Sequence, residues 1–301
     1  GSEMCIRDRL YKYSIFLFFI SLISLFLVPF VGVEVKGSKR WIDLFFLPRF
    51  QPIEVLKPFL IIILATIFCD IRSNILFKYL ISIFLISFIS LLLIAQPDIG
   101  QTLLVIFCWA VLIFTSGINI YILLAIFIAG ASLLAYLIIY VPRFDYIQGR
   151  IFSFFNRETG THNFQSDKAI ESITSGGFFG KGIGEGVLKN RVPEAHTDYI
   201  ISVISEEFGV VAIMLILLLF LILIYMVFKK ISFETNDKVK LILIGSISLI
   251  LMQATIHVGV NIRLFPTTGM TLPFLSYGGS SIISTSILGG IILNLTKRKI
   301  T

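Results

Sequence analysis

The sequence predicts an all-α integral membrane protein with about eight transmembrane helices and one large extracytoplasmic loop. Three observations carry this. Of 301 residues, 56% are hydrophobic and the mean hydropathy is +0.95, more apolar than a soluble domain, where polar positions break up the apolar ones. The apolar residues gather in eight runs close to the roughly 20 residues that a helix needs to cross a bilayer. The net charge of +7 sits mostly between those runs, as the basic residues of membrane proteins do. Nucleic acid is not an expected partner.

The runs lie near Tyr13–Val33, Pro52–Cys69, Tyr79–Ala95, Ile99–Gly117, Ile118–Tyr140, Phe208–Phe228, Leu241–His257 and Ser280–Thr296. The second is polar in its first two turns and is the weakest. Only Gln96-Pro97-Asp98 separates the third from the fourth, a tight hairpin marked by its proline. Gly1-Ser2-Glu3-Met4-Cys5-Ile6-Arg7-Asp8-Arg9 looks foreign to the rest of the chain. Residues 1–12 are set aside as a non-native or truncated cytoplasmic leader, which leaves 13–301 as one polytopic membrane domain.

An even number of spans puts both termini on one side. That side carries Arg7, Arg9, Lys12, Arg72, Lys78, Lys229, Lys230, Lys238, Lys240, Lys297, Arg298 and Lys299. The opposite short loops carry Lys36, Lys39, Arg40, Arg49, Lys57 and Arg263. Basic residues favour the cytoplasmic face, so the termini are expected inside and the loop at about 141–207 outside. The five cations between the first two spans run against this locally. They face anionic headgroups, or they bind an anionic lipid substrate presented on the outer leaflet. Cys5, Cys69 and Cys108 form no CxxC pair and the three histidines are scattered, so neither a disulfide framework nor a zinc site is expected.

The polar residues at the outer ends of the spans are the candidates for chemistry. In Gln51-Pro52-Ile53-Glu54-Val55-Leu56-Lys57, Pro52 suits the first helical turn. Glu54 and Lys57 then share a face. Ionisable groups at a span are costly and by default suggest function; the alternative is an ion pair that only fixes the helix entry. Asp98 either caps the fourth span or faces substrate. Within the large loop, Arg150–Asn156 alternates like a short amphipathic piece on the interface. The stretch Gly176-Gly177-Phe178-Phe179-Gly180-Lys181-Gly182 is glycine-rich, but Lys181 is followed by glycine rather than Ser or Thr, which rules out a P-loop. Pro193-Glu194-Ala195-His196-Thr197-Asp198-Tyr199 closes the loop. Alone, Asp198 would be an ordinary acid at a helix start. Beside so many outer-face cations it also suits a base that takes a proton from an attacking hydroxyl while cations stabilise a departing phosphate. In the last loop, Pro266, Pro273 and Gly278-Gly279 forbid one continuous helix. Irregular backbone at membrane depth needs protein or a cavity around it, so this loop is expected to wall a pocket.

In this order, Lys36-Gly37-Ser38-Lys39-Arg40-Trp41-Ile42, Gln51-Pro52-Ile53-Glu54-Val55-Leu56-Lys57, Gln96-Pro97-Asp98-Ile99-Gly100, Pro193-Glu194-Ala195-His196-Thr197-Asp198 and Pro273-Phe274-Leu275-Ser276-Tyr277-Gly278-Gly279-Ser280-Ser281 resemble the SEDS family of peptidoglycan glycosyltransferases. The likeness is closer to its cell-division members than to its rod-shape members. Family members have ten spans, so two helices are expected to be missing at the N-terminus.

The resemblance implies polymerisation of lipid II into glycan strands for septal wall synthesis. It implies Asp198 as catalytic residue, and Arg40, Glu54, Lys57, Lys39, Asp98, His196, Ser276 and Tyr277 as the substrate-binding set. Asp198 would act as base on the acceptor's 4-hydroxyl, which attacks C1 of the donor with inversion. Undecaprenyl pyrophosphate would leave, its charge offset by Arg40, Lys57 and a divalent cation, Mg or Mn, with no metal ligands assigned and no organic cofactor. The implied partners are a class B penicillin-binding protein and other divisome proteins. The implied place is the bacterial cytoplasmic membrane at the septum, with the active site facing the exterior. A lipid II flippase, an elongation-type polymerase and a scaffold are the competing readings. Few charges lie inside the spans, which disfavours a polar path across the bilayer.

Overall fold

The computed structural model describes residues 2–35, 38–44, 47–70, 74–141, 144–155, 161–188 and 192–297. Lys36, Gly37, Arg72, Arg143, Asn156, Arg298 and Lys299 lie outside them. The side chains of Cys5, Arg7, Arg9, Arg150, Ile151, Ser153 and Phe155 also go undescribed.

Among the described residues, ten helices and three short strands follow one another: α1 (Ser2–Val31), β1 (Val33–Val35), β2 (Ser38–Leu44), β3 (Leu47–Phe50), α2 (Pro52–Cys69), α3 (Ile75–Ala95), α4 (Ile99–Thr115), α5 (Ile120–Tyr140), α6 (Asp145–Phe155), α7 (Thr161–Gly176), α8 (Ile200–Phe233), α9 (Asp237–Asn261) and α10 (Gly279–Thr296). Among those residues, seven helices are long and apolar enough to cross a membrane; α4, with 17 residues, is an eighth apolar helix just below that length. The all-α membrane fold is therefore as the sequence predicts. The stretch expected as a large loop contains α6 and α7. The chain divides into two compact units: residues 1–116, 223–252 and 277–301, and residues 117–222 and 253–276.

In the first unit, α2 is the central helix. It packs against α1, α3, α4 and α10, and thirteen of its side chains are buried. The sequence ranks this span weakest because its opening turns are polar. The structure encloses those turns, so their polar groups are satisfied by protein rather than by water. Helix α9 comes close at one point: a Cβ on Gly245 would come within 2.7 Å of Ile61 Cγ2 and 3.1 Å of Leu112 Cδ2. Trp109 on α4 donates its indole N–H to Ser82 Oγ on α3 at 3.2 Å, which gives a buried polar edge its partner.

The segment after α1 is a three-stranded antiparallel sheet, order β1-β2-β3, with Val33 opposite Trp41 and Ile42 opposite Phe50. The period-2 pleat sorts β2 into two faces. Ile42 is 5% exposed and Arg40 lies on its side of the strand, whereas Lys39 and Asp43 are exposed on the other. The sequence predicts no strand here, because the cations mask the alternation of a strand only seven residues long.

In the second unit, Ile201, Ala254 and Leu272 form a small core covered by Ile200, Ile213, Phe220 and Val258. Helix α8 starts well before the expected span and is interrupted at Gly209 (φ 75°, ψ −176°), a conformation that glycine adopts readily. The glycine-rich loop after α7 lies along this break. Lys181 N donates to Glu206 O at 2.9 Å and Gly182 N to Glu207 O at 3.0 Å; in return Val210 N donates to Gly177 O at 3.0 Å.

The close approach at Gly245 yields a test. Gly245→Leu should lower stability by roughly 1–3 kcal/mol through overpacking of stiff buried neighbours, read as a lower midpoint of thermal unfolding in detergent. An unchanged midpoint would contradict this packing of α9 on α2 and α4.

Candidate functional site

The motifs singled out in the sequence gather into two polar clusters, one in each unit. The first stands at the head of α2. Glu54 Oε1 accepts from Lys57 Nζ at 2.8 Å and from Gln101 Nε2 at 2.6 Å, and Lys57 Nζ also donates to Gln101 Oε1 at 3.1 Å. Spacing on one helix brings Glu54 to Lys57; the partner Gln101 arrives from α4. Both charges are enclosed, Glu54 at 3% and Lys57 at 0% exposure. In this conformation Lys57 meets protein on every side.

The neighbouring group holds Asp98. Its side chain caps α4 by accepting from Gln101 N, accepts from Gln51 Nε2 at 2.9 Å, and faces Arg40 Nη1 at 3.8 Å. The capping reading is thus realised, and the same carboxylate also receives an amide from the turn before α2. Burial pushes the Asp98 carboxyl above the usual carboxylate range, while the Arg40 guanidinium and the Gln101 amide pull it back. Arg40 reaches across the hairpin, donating from Nε to Gln96 O at 3.2 Å and from Nη2 to Pro97 O. It remains 16% exposed, so one edge of a cation fixed by protein carbonyls faces outward. Gln51 N donates to Ser280 Oγ at 2.9 Å, which ties α10 to the same end. Lys39 lies exposed on the opposite face of β2, and Tyr277 is 77% exposed before α10.

The second cluster is built around Asp198, in the turn that precedes α8. Glu194, in the left-handed region (φ 57°), folds the turn, and its carbonyl accepts from the amides of Thr197, Asp198 and Tyr199 at 3.1–3.3 Å. Two side chains from elsewhere then fix the backbone. Asn261 Nδ2, at the end of α9, donates to Asp198 O at 3.1 Å, and Ser276 Oγ donates to Thr197 O at 2.7 Å. Ser276 Oγ in turn accepts from Leu272 N at 2.8 Å. The last loop is bound to α9 as well, through Gln253 Nε2 to Thr271 O at 3.0 Å and His257 Nδ1 to Met270 O at 2.7 Å. Irregular backbone at this depth is thus satisfied by polar side chains. Asp198 itself is half-buried. A Cβ on Gly269 (φ 66°) would stand 3.5 Å from its Oδ2, so the loop passes close beside the carboxylate. Tyr199 is buried at 2% exposure. Burial pushes its hydroxyl up, and a hydrogen bond with Ser166 opposes this. Arg263 pairs with Asp167 on α7. His196 is exposed.

Three residues that matter to this geometry are not apparent from the sequence. Gln101 and Asn261 are uncharged amides on apolar helices, and their only signal is polarity on an apolar face. Glu206 is fully buried; it accepts from Leu188 N at 3.0 Å and from Ser172 Oγ at 3.1 Å, with Lys181 Nζ at 3.5 Å. An acid beside an apolar run was the available clue. Among the described residues no three His, Cys, Asp or Glu side chains come together as a metal cage. A magnesium-like ion needs only one or two carboxylates when phosphates supply the rest, so this arrangement assigns no ligand to such an ion.

The chain matches known proteins along most of its length. The family model for the FtsW/RodA/SpoVE cell cycle proteins matches residues 4–300. A probable peptidoglycan glycosyltransferase FtsW of Caulobacter vibrioides is 34% identical over 275 residues, 90% of this chain and 69% of that protein. The protein of that name from Enterococcus hirae is 32% identical over 292 residues, 93% of this chain and 73% of its own. Among solved structures, a chain of a peptidoglycan synthase complex, described for its structural coordination of polymerization and crosslinking, matches with TM-score 0.79 at 28% identity, over 96% of this chain and 82% of that one. The rod shape determining protein RodA of Thermus thermophilus matches with TM-score 0.69 at 28% identity, over 98% and 81%. The five motifs, the membrane helices and these matches lead to one conclusion: the chain is a multi-pass membrane protein of the FtsW/RodA/SpoVE family, the SEDS family.

Proposed function

We propose that this protein is a peptidoglycan glycosyltransferase that polymerises lipid II during septal wall synthesis, with Asp198 as general base. The observation that carries the reading is the pinned carboxylate: Asp198 is half-buried, and the carbonyls of Asp198 and Thr197 are held by Asn261 and Ser276. A base works when it is held within hydrogen-bond reach of the proton it takes, and two tertiary hydrogen bonds on consecutive carbonyls fix the backbone that carries this one. The names of the relatives support the reaction class, and the FtsW name supports the septal role.

In this reading Asp198 removes the proton from the acceptor's 4-hydroxyl, the oxygen attacks C1 of the donor sugar with inversion, and the lipid diphosphate leaves with the bonding electron pair. Within the first unit, Arg40, fixed by hairpin carbonyls and open on one edge, is our assignment for binding an anionic oxygen of a lipid-linked substrate. A divalent cation, Mg or Mn, would supply charge neutralisation at the departing diphosphate, held chiefly by the substrate phosphates themselves. Glu54, Lys57 and Gln101 fix the head of α2 against α4 within the first unit. Asp98 positions Arg40 and the start of α2. The active site faces the exterior and the termini the cytoplasm, by the charge bias of the loops. The partner is a class B penicillin-binding protein of the divisome, a reading supported by the synthase complex among the structural matches.

Asp198→Asn should reduce polymerisation of purified lipid II by roughly 10²–10⁴-fold, the usual worth of a general base, without shifting the unfolding midpoint. Turnover within a few-fold of wild type would remove Asp198 from that role. Asn261→Ala should lower kcat about 10-fold or more with KM little changed, because a misplaced base costs rate more than binding; a rise in KM alone would make Asn261 a binding residue. Lys57→Met should leave a buried carboxylate uncompensated and cost about 3–5 kcal/mol, and adding Glu54→Gln should restore much of it. A single variant of unchanged stability but lost activity would place Lys57 on the substrate instead.

A further inference from the structure

The first unit carries a second polar site at the opposite end of α2. A cavity of about 690 Å³ opens where α2 and α4 end and where α3 and α9 begin; Lys78, Lys238, Lys240 and Asp237 line it over an apolar floor of Phe68 and Leu241. From Glu54 to Phe68 is about 21 Å along the helix at 1.5 Å per residue, so the cavity is separate from the Glu54–Asp98 cluster and lies at the other end of a candidate membrane span. Beside it runs an apolar groove of about 410 Å³ between α1 and α2, lined by Ile15, Ile63 and Ile67, with Asp70 at its end. The cavity and the groove share Cys69 and Lys238. A cationic chamber and an apolar channel thus meet at one lysine.

The cations are held in place. Lys78 Nζ donates to Phe68 O at 3.3 Å, Lys240 Nζ pairs with Asp237 Oδ1 at 3.0 Å, and Lys238 Nζ lies 3.8 Å from the Tyr11 ring centroid. An ammonium has three N–H donors, so the single bonds of Lys78 and Lys240 leave donors for phosphate oxygens. Three lysines face one aspartate in the cavity. None of these residues takes part in the proposed reaction.

We propose that this cavity binds the phosphate of an anionic phospholipid, with an acyl chain in the adjoining α1–α2 groove. Basic pockets between helices at headgroup depth recognise such lipids, and the groove makes a lipid a better fit than a soluble anion, which would use the cavity alone. The site shares no residue with the chemistry proposed at Asp198, so its occupancy is independent of that assignment.

The test is native mass spectrometry and thermal unfolding of the full chain in detergent micelles doped with phosphatidylglycerol, with phosphatidylcholine, or with neither lipid but millimolar inorganic phosphate. Phosphatidylglycerol should be retained and should stabilise, phosphatidylcholine should not. At about five-fold per lysine near a headgroup, and counting Lys240 as offset by its pairing with Asp237, the triple variant Lys78→Gln, Lys238→Gln, Lys240→Gln should weaken that retention roughly 25-fold. Ile244→Trp, which fills the cavity without changing charge, should weaken it as well and decides the matter if the triple variant does not fold. Equal retention of the two lipids, or retention unchanged in both variants, would overturn the site. Stabilisation by inorganic phosphate equal to that by phosphatidylglycerol would overturn its assignment to a lipid.

Discussion

A charge pair enclosed among membrane helices governs the first unit. Glu54 and Lys57 cannot be left to hydrocarbon, where an unpaired charge costs several kcal/mol, so α4 must bring Gln101 to them. That demand fixes the depth and rotation of α2 against α4. The same end of α4 carries Asp98, which binds Gln51 and faces Arg40, and Arg40 in turn holds the Gln96 and Pro97 carbonyls. The sheet, the hairpin and α10 therefore take their positions from one buried polar network. Such networks specify geometry more than they add stability, because desolvation offsets much of the attraction.

The second unit solves a different problem. Its proposed reactive residue sits in a turn, and a turn has no helix ladder to stiffen it. Stiffness comes instead from Asn261 and Ser276, which hold consecutive carbonyls, and from the way α9 binds the proline-containing loop through Gln253 and His257. The prolines and glycines that exclude a helix over 262–278 thus have a positive role: they give a path close enough to Asp198 for Gly269 to pass beside it.

The long apolar runs were legible in the sequence because a bilayer sets their length. The spans Pro52–Cys69 and Ile99–Gly117 fall within a residue or two of α2 and α4. Glu54, Lys57, Asp98 and Asp198 could also be singled out, since a charge at an apolar border is conspicuous. Their surroundings could not. Spacing along one helix pairs Glu54 with Lys57 but says nothing of Gln101, 44 residues beyond Lys57, and so a pair expected at a substrate-facing mouth is enclosed. Arg40 and Lys39 look alike as letters; only the pleat of β2 turns one inward and the other to solvent. The break at Gly209 was hidden because an apolar run through a glycine reads the same whether the helix continues or not.

That break has a consequence for how the second unit holds together. The amides and carbonyls that Gly209 releases from the helix are taken up by Gly177, Phe178, Lys181 and Gly182, in an exchange resembling two strands. A Cβ at Gly209 would meet Phe178 O at 2.2 Å, and one at Gly180 would meet Glu207 O at 2.2 Å, so neither partner can change shape without the other. The glycine-rich segment and the upper part of α8 are one cooperative element, and amide protons on both sides exchange through a shared opening. A long loop joined to a helix in this way is held at the break by backbone hydrogen bonds, so its path there depends on the two glycines more than on its other residues.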